Sequence, residues 1–321
     1  GDYLAGRGVE QDLNLAAHWY EKAAGDGDPQ AQLQIGYLYE AGIGVPRDAA
    51  RAFHWFQLAD AGGSVIAKVS LGIAYLWGTG VAKNEQLAVR YFNEAAGKNI
   101  GLGAACLGEM YQLGIGVPQD HAIAEQWYAK GAKMHDPQAE FRLGSMFSED
   151  ADHVHDLRKA SKLLRDSAGA GYVPAMHLLG YLLVVHPDLA KSSDEAIGLL
   201  NDSANAGTWR SSLVLGILSR DGNGVPANAG DAYYRFRVAT LQGGDEARKF
   251  LKKDLENLSS ALGPERTAKI DSEAAQWYQH HPLVFEFLYR KGTSQTSFPA
   301  YALVQPTDGL HAGRLIPSAE D

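Results

Sequence analysis

Residues 35–48 read Ile-Gly-Tyr-Leu-Tyr-Glu-Ala-Gly-Ile-Gly-Val-Pro-Arg-Asp, and residues 107–120 read Leu-Gly-Glu-Met-Tyr-Gln-Leu-Gly-Ile-Gly-Val-Pro-Gln-Asp. The apolar-Gly pair that opens both stretches recurs at Ile35-Gly36, Leu71-Gly72, Leu107-Gly108, Leu143-Gly144, Leu179-Gly180 and Leu215-Gly216, a fixed period of 36 residues. Sixteen residues after each glycine stands an alanine: Ala52, Ala88, Ala124, Ala160, Ala196 and Ala232, with Ala16 in phase before them. Aromatic or aliphatic pairs follow at Trp19-Tyr20, Trp55-Phe56, Tyr91-Phe92, Trp127-Tyr128, Leu163-Leu164 and Leu199-Leu200, and Phe236 keeps the place in the last repeat. A strict period of this length marks stacked repeats, each one supersecondary unit that cannot bury its apolar face alone.

Ala31, Ile35 and Tyr39, like Ala67, Leu71 and Tyr75, lie at i, i+4 spacing and describe one face of a helix. The Gly-x-Gly that follows stops this first helix, because glycine enters left-handed conformations cheaply. Asp48 and Asp120 then stand where an N-cap belongs, ahead of a second helix carrying the alanine and the apolar pair. A Gly-containing turn such as Asp60 to Gly63 ends it. Glycine inside a helix costs about 0.8–1 kcal/mol relative to alanine. Six in register therefore predict a close helix contact that a larger side chain would block. The Trp/Tyr stripe at these spacings is expected in the core.

The repeats run 1–28, 29–64, 65–100, 101–136, 137–172, 173–208 and 209–244, the first opening at the last turn of a helix. Repeats five and six lose the Gly-x-Gly turn without changing length. Past residue 244 the registry stops, with Lys252 in the place of the next glycine. Residues 245–292 read as capping helices broken at Gly263-Pro264, and 293–321 as a flexible tail.

The pattern Leu-Gly-x-x-Tyr, Gly-x-Gly-Val-x-x-Asp and Ala-x-x-Trp-Tyr-x-x-Ala-Ala resembles the Sel-one-like repeat, a relative of the tetratricopeptide repeat. The resemblance covers residues 1 to about 244. It implies an all-α, right-handed α-solenoid of stacked helix-turn-helix repeats, of bacterial type, acting as a protein-interaction scaffold in signalling or envelope assembly. By analogy with tetratricopeptide grooves, positions −6, −3, +1, +4 and +5 from each glycine line a concave, largely apolar surface. On that basis Tyr37, Ile73, Trp77, Glu109, Phe141, Tyr181 and Arg210 are the candidate partner-binding residues, with Trp77, Tyr37 and Tyr181 as aromatic anchors.

Composition bounds the alternatives. A net charge of −9, from 29 basic and 38 acidic residues, argues against tight nucleic-acid or anionic-membrane binding. No apolar run approaches the roughly 18–20 residues of a membrane-spanning helix. The single cysteine, Cys106, excludes an intrachain disulfide and a multi-thiolate zinc site. The cluster Glu149, Asp150, Asp152, His153, His155 and Asp156 has metal-ligand chemistry, with Asp152, His153 and His155 as the candidates; a solvated turn is the bland reading. His280-His281 and Cys106 have no recognisable catalytic companions. The expectation is a non-enzymatic protein that needs no cofactor and binds a protein or peptide. Envelope glycan binding through exposed aromatics is the alternative, hydrolysis a remote third, and the compartment stays open.

Overall fold

The computed structural model describes residues 12–148, 156–192 and 194–280. Among these, 14 α-helices and no strand occur, and consecutive helix pairs pack as a solenoid. The described residues form two compact units, residues 12–98 with 114–118 and residues 99–113 with 119–280. The first holds α1 (Leu13–Gly25), α2 (Pro29–Ala41), α3 (Ala49–Ala61), α4 (Val65–Trp77) and α5 (Glu85–Gly97). The second holds α6 (Gly101–Leu113), α7 (His121–Lys133), α8 (Pro137–Ser148), α9 (Leu157–Gly169), α10 (Val173–Val185), α11 (Glu195–Asn205), α12 (Trp209–Asp221), α13 (Ala229–Leu262) and α14 (Pro264–His280). Gly244, at φ 57 and ψ −136, breaks α13 in two.

Helix starts follow the period. Asp48 and Asp120 cap α3 and α7 by accepting the Arg51 and Ile123 amides at 3.0 and 2.9 Å. Asp12, Asn84, Asp156 and Asn228 do the same for α1, α5, α9 and α13. Each side chain satisfies an amide that the first turn leaves without a helical partner. Asp120→Ala is expected to cost about 1 kcal/mol, read as a lower urea midpoint at unchanged slope.

The glycines of the apolar-Gly pairs are contact points, as their periodicity predicts, and the structure names the partner. A Cβ on Gly36, Gly72, Gly108 or Gly216 would lie 2.4–2.5 Å from a ring carbon of Phe56, Phe92, Tyr128 or Phe236. In repeats five and six the partners are Leu164 and Leu200, at 2.9 and 2.8 Å. The second helix of each repeat thus sets its apolar side chain flat on the backbone of the first. Gly42, Gly78 and Gly222 end α2, α4 and α12 in the left-handed conformation.

Two expectations are corrected. The second glycine of the turn is more than a helix stop: a Cβ on Gly44 or Gly80 would fall 2.0 Å from the carbonyl oxygen of Leu13 or Ala49, at the start of the preceding repeat's second helix. The Trp/Tyr stripe is also only half core. Phe56, Phe92 and Tyr128 are fully buried, but Trp19 is 50% exposed and Trp55, Tyr91 and Trp127 are half-buried. Adjacent residues on a helix point about 100° apart, so only one of the pair can reach the glycine. The outer rings meet cations instead: Lys22 lies 5.3 Å from the Trp19 centroid and Lys130 4.7 Å from that of Trp127.

Candidate protein-binding surface

The first helix of each repeat positions every candidate side chain, so its orientation decides what a partner can touch. Positions −3 and +1 lie one turn apart and turn toward the next repeat. Leu33, Val69, Tyr37 and Ile73 are buried there in the first unit. Tyr37 hydrogen-bonds Ser70 through their hydroxyls at 2.9 Å, and burial pushes its phenol well above the usual range. In the second unit Phe141 is buried with its ring 5.3 Å from that of Tyr172.

Glu109, expected on the open face, is buried as well. Its Oε1 accepts from Arg142 Nε at 2.7 Å and from Gln138 Nε2 at 2.9 Å, and Arg142 Nη2 lies 2.6 Å away. Desolvation is the largest single influence on the Arg142 guanidinium and opposes its charge, but Glu109, with smaller contributions from Tyr128 and Tyr172, more than offsets it and keeps the group charged. Tyr37, Ile73, Glu109 and Phe141 are therefore packing residues between repeats, because stacking consumes the helix face that the tetratricopeptide offsets assign to a groove.

The remaining candidates keep accessible surface. Trp77, at the end of α4, is half-buried, and its indole N–H has no hydrogen-bond partner among the described residues. Tyr181 on α10 is half-buried, with its phenol raised by desolvation. Arg210 on α12 pairs with Glu246 at 3.0 Å, and its guanidinium lies 4.7 Å from the Trp209 centroid. Asp152, His153 and His155 lie outside the described residues, as does the tail from 293 onward. No group of three or more metal-ligating side chains occurs among the described residues.

Two residues at position +5 carry the exposure that the sequence reading placed on buried neighbours. Leu113 is 63% exposed and Val185 51%, both in the second unit and both at the C-terminal end of a first helix. Val184 beside Val185 is half-buried. Their signal was present in the +5 row, where an apolar residue follows the last inward-facing turn of the helix.

The repeat geometry is that of a known family. Sel1 repeat models match residues 1–28, 29–63, 65–99, 103–136 and 137–172, more than half of the chain. The chain belongs to the Sel1 repeat family. Repeats six and seven of the chain lie beyond these matches, yet Gly180 on Leu200 and Gly216 on Phe236 keep the same contact. A Sel1 repeat protein from Oxalobacter formigenes is similar in structure, with 26% identity over 70% of this chain and 88% of that one, at a TM-score of 0.58. A protective antigen with the same repeat fold from uropathogenic Escherichia coli shares 20% identity over 93% of this chain and 87% of that one, at a TM-score of 0.35. An immunity protein from Pseudomonas aeruginosa shares 20% over 69% and 83%, at 0.41. No curated relative matches the chain. Sel1 repeat proteins generally mediate protein–protein interaction. No helix among the described residues is long and apolar enough to cross a membrane.

Proposed function

We propose that this chain is a non-enzymatic scaffold that binds an apolar segment of a partner protein along the C-terminal ends of its first helices. The observation that carries the reading is the exposure of Leu113 and Val185 at the same place in two repeats of one unit. Aliphatic side chains so far out of the core lose favourable burial until a partner covers them, at roughly 25 cal/mol per Å². Half-buried Tyr181, one turn before Val185, supplies an aromatic wall. In the first unit Trp77 holds the same position and is half-buried, with its indole N–H shielded from solvent. Cys106 adds no chemistry to this reading: its thiol is fully buried and pushed well above its usual range, chiefly by desolvation.

Leu113→Glu combined with Val185→Glu tests this. Both positions are exposed, so the unfolding free energy from urea titration is expected to change by no more than about 0.5 kcal/mol. A photo-crosslinking amino acid at residue 113 in the native host is expected to trap a discrete protein that Val185→Glu releases, and one at residue 185 to trap the same protein, released by Leu113→Glu. Crosslinks that survive the glutamate at the other position, or none at either position, would remove the surface. Retention on purified envelope polysaccharide, lost on Trp77→Ala, would move the reading to glycan binding.

A further inference from the structure

In three repeats a polar side chain four residues before the helix glycine reaches the end of the preceding second helix, directly or through a neighbour, where carbonyls point outward and a donor or cation is favoured. In repeat two Gln32 donates from Nε2 to the Ala24 carbonyl at 3.1 Å. In repeat three Lys68 places its ammonium 2.9 Å from Asp60 and 3.0 Å from Glu94. In repeat seven Ser212 bonds Gln242, whose Nε2 donates to the Ala204 carbonyl at 2.8 Å. Repeats four and six have Ala104 and Met176 there, and repeat five alone has an acid: Glu140, only 4% exposed, with Asp166 standing where repeat three has Glu94.

The charged groups that face Glu140 are Asp166 on α9 and His135 and Asp136 in the turn between α7 and α8. No lysine or arginine pairs with it among the described residues. His135 Nδ1 lies 3.7 Å from its Oε1, but that imidazole is 90% exposed. His135 also holds φ at 56°, in the place where Gly27, Gly63, Gly171 and Gly207 stand in other repeats. A non-glycine residue in that conformation is strained.

We propose that Glu140 is a built-in proton switch: α7, α8 and α9 close tightly around a neutral carboxyl and loosen once it ionises. Desolvation, then Asp166, raise the Glu140 carboxyl to about 7 against an opposing pull from His135. A carboxyl raised on folding stabilises fully below its unfolded value of 4.5, and that contribution is lost as pH climbs through about 7. Asp136, raised to about 6 mainly by desolvation, acts in the same sense. His177 acts in the opposite sense: burial lowers it to about 4, so its contribution fades as pH falls below 6.5. The wild-type profile alone therefore mixes signs, and the comparison with a Glu140 variant isolates the switch.

Urea unfolding of the full chain and of E140Q at about pH 5 and about pH 8 tests the proposal. The E140Q-to-wild-type ratio of folding constants is expected to rise about tenfold or more between the two pH values. Hydrogen exchange, corrected for intrinsic rates, should place the wild-type loosening in α7, α8 and α9, with α4 of the first unit unchanged. E140K, which places an ammonium opposite Asp166 as Lys68 does opposite Glu94, is expected to remove the Glu140 part of the pH dependence and so to give a profile parallel to that of E140Q. Parallel profiles for wild type and E140Q, or loosening spread evenly over both units, would overturn it.

Discussion

Arg142→Ala is expected to unfold the second unit at markedly lower denaturant, with a loss of about 3–5 kcal/mol. The guanidinium lies 2.6 Å from Glu109, and both side chains are largely shielded from water. Removing it strands a carboxylate that keeps only the Gln138 amide, 2.9 Å away. The penalty is that of an uncompensated buried charge, and so exceeds what the pair itself contributes. Replacing both partners, Arg142→Met with Glu109→Leu, separates these quantities: the double variant should recover most of the loss, because a buried ion pair is often no better than a well-packed apolar pair. Urea midpoints of the two variants decide it. If Arg142→Ala costs less than about 1 kcal/mol, water reaches the pair and the burial account fails.

Gly108→Leu is the second large effect, a loss of at least about 1–3 kcal/mol from overpacking. A Cβ at Gly108 meets Tyr128 at 2.4 Å (Cε1), 2.5 Å (Cδ1) and 2.9 Å (Cζ). The ring is not free to swing aside, because Tyr128 is fully buried and its hydroxyl donates to Gln112 at 2.7 Å. Even Gly108→Ala, which gains about 0.8–1 kcal/mol of helix propensity, should end below wild type. Repeats five and six show a partial relief: leucine opposite Gly144 and Gly180 widens the approach to 2.9 and 2.8 Å, which is still tight. Tyr128→Leu added to Gly108→Ala should therefore show favourable coupling in a double-mutant cycle. Additive losses would mean that the glycine register reflects something other than this contact.

Both predictions rest on features of different legibility. Gly108 stood out in the sequence because its register repeats, and the contact it implies lies within one repeat, twenty residues away. The pairing of Glu109 with Arg142 was hidden. Its partners are 33 residues apart on first helices of successive repeats, and the offset rule that put Glu109 on an open groove ignored how the next repeat stacks. The same stacking takes Tyr37, Ile73 and Phe141 into the interior while leaving Leu113 and Val185 out. A helix presents apolar residues alike to a neighbouring repeat and to a partner protein, so hydrophobicity alone does not separate the two.

By itself the sequence determined the all-α architecture, the helix-turn-helix unit, its caps at Asp48 and Asp120 and the glycine contacts. These are local events, settled within a few turns of one chain segment, and a 36-residue period repeats the message six times. Tertiary structure alone decided which first-helix residues face the next repeat, which ring of each aromatic pair reaches solvent, and that Glu140 occupies a place suited to a cation. Each of those depends on the distance and angle between helices from different repeats, set by the packing of many side chains at once.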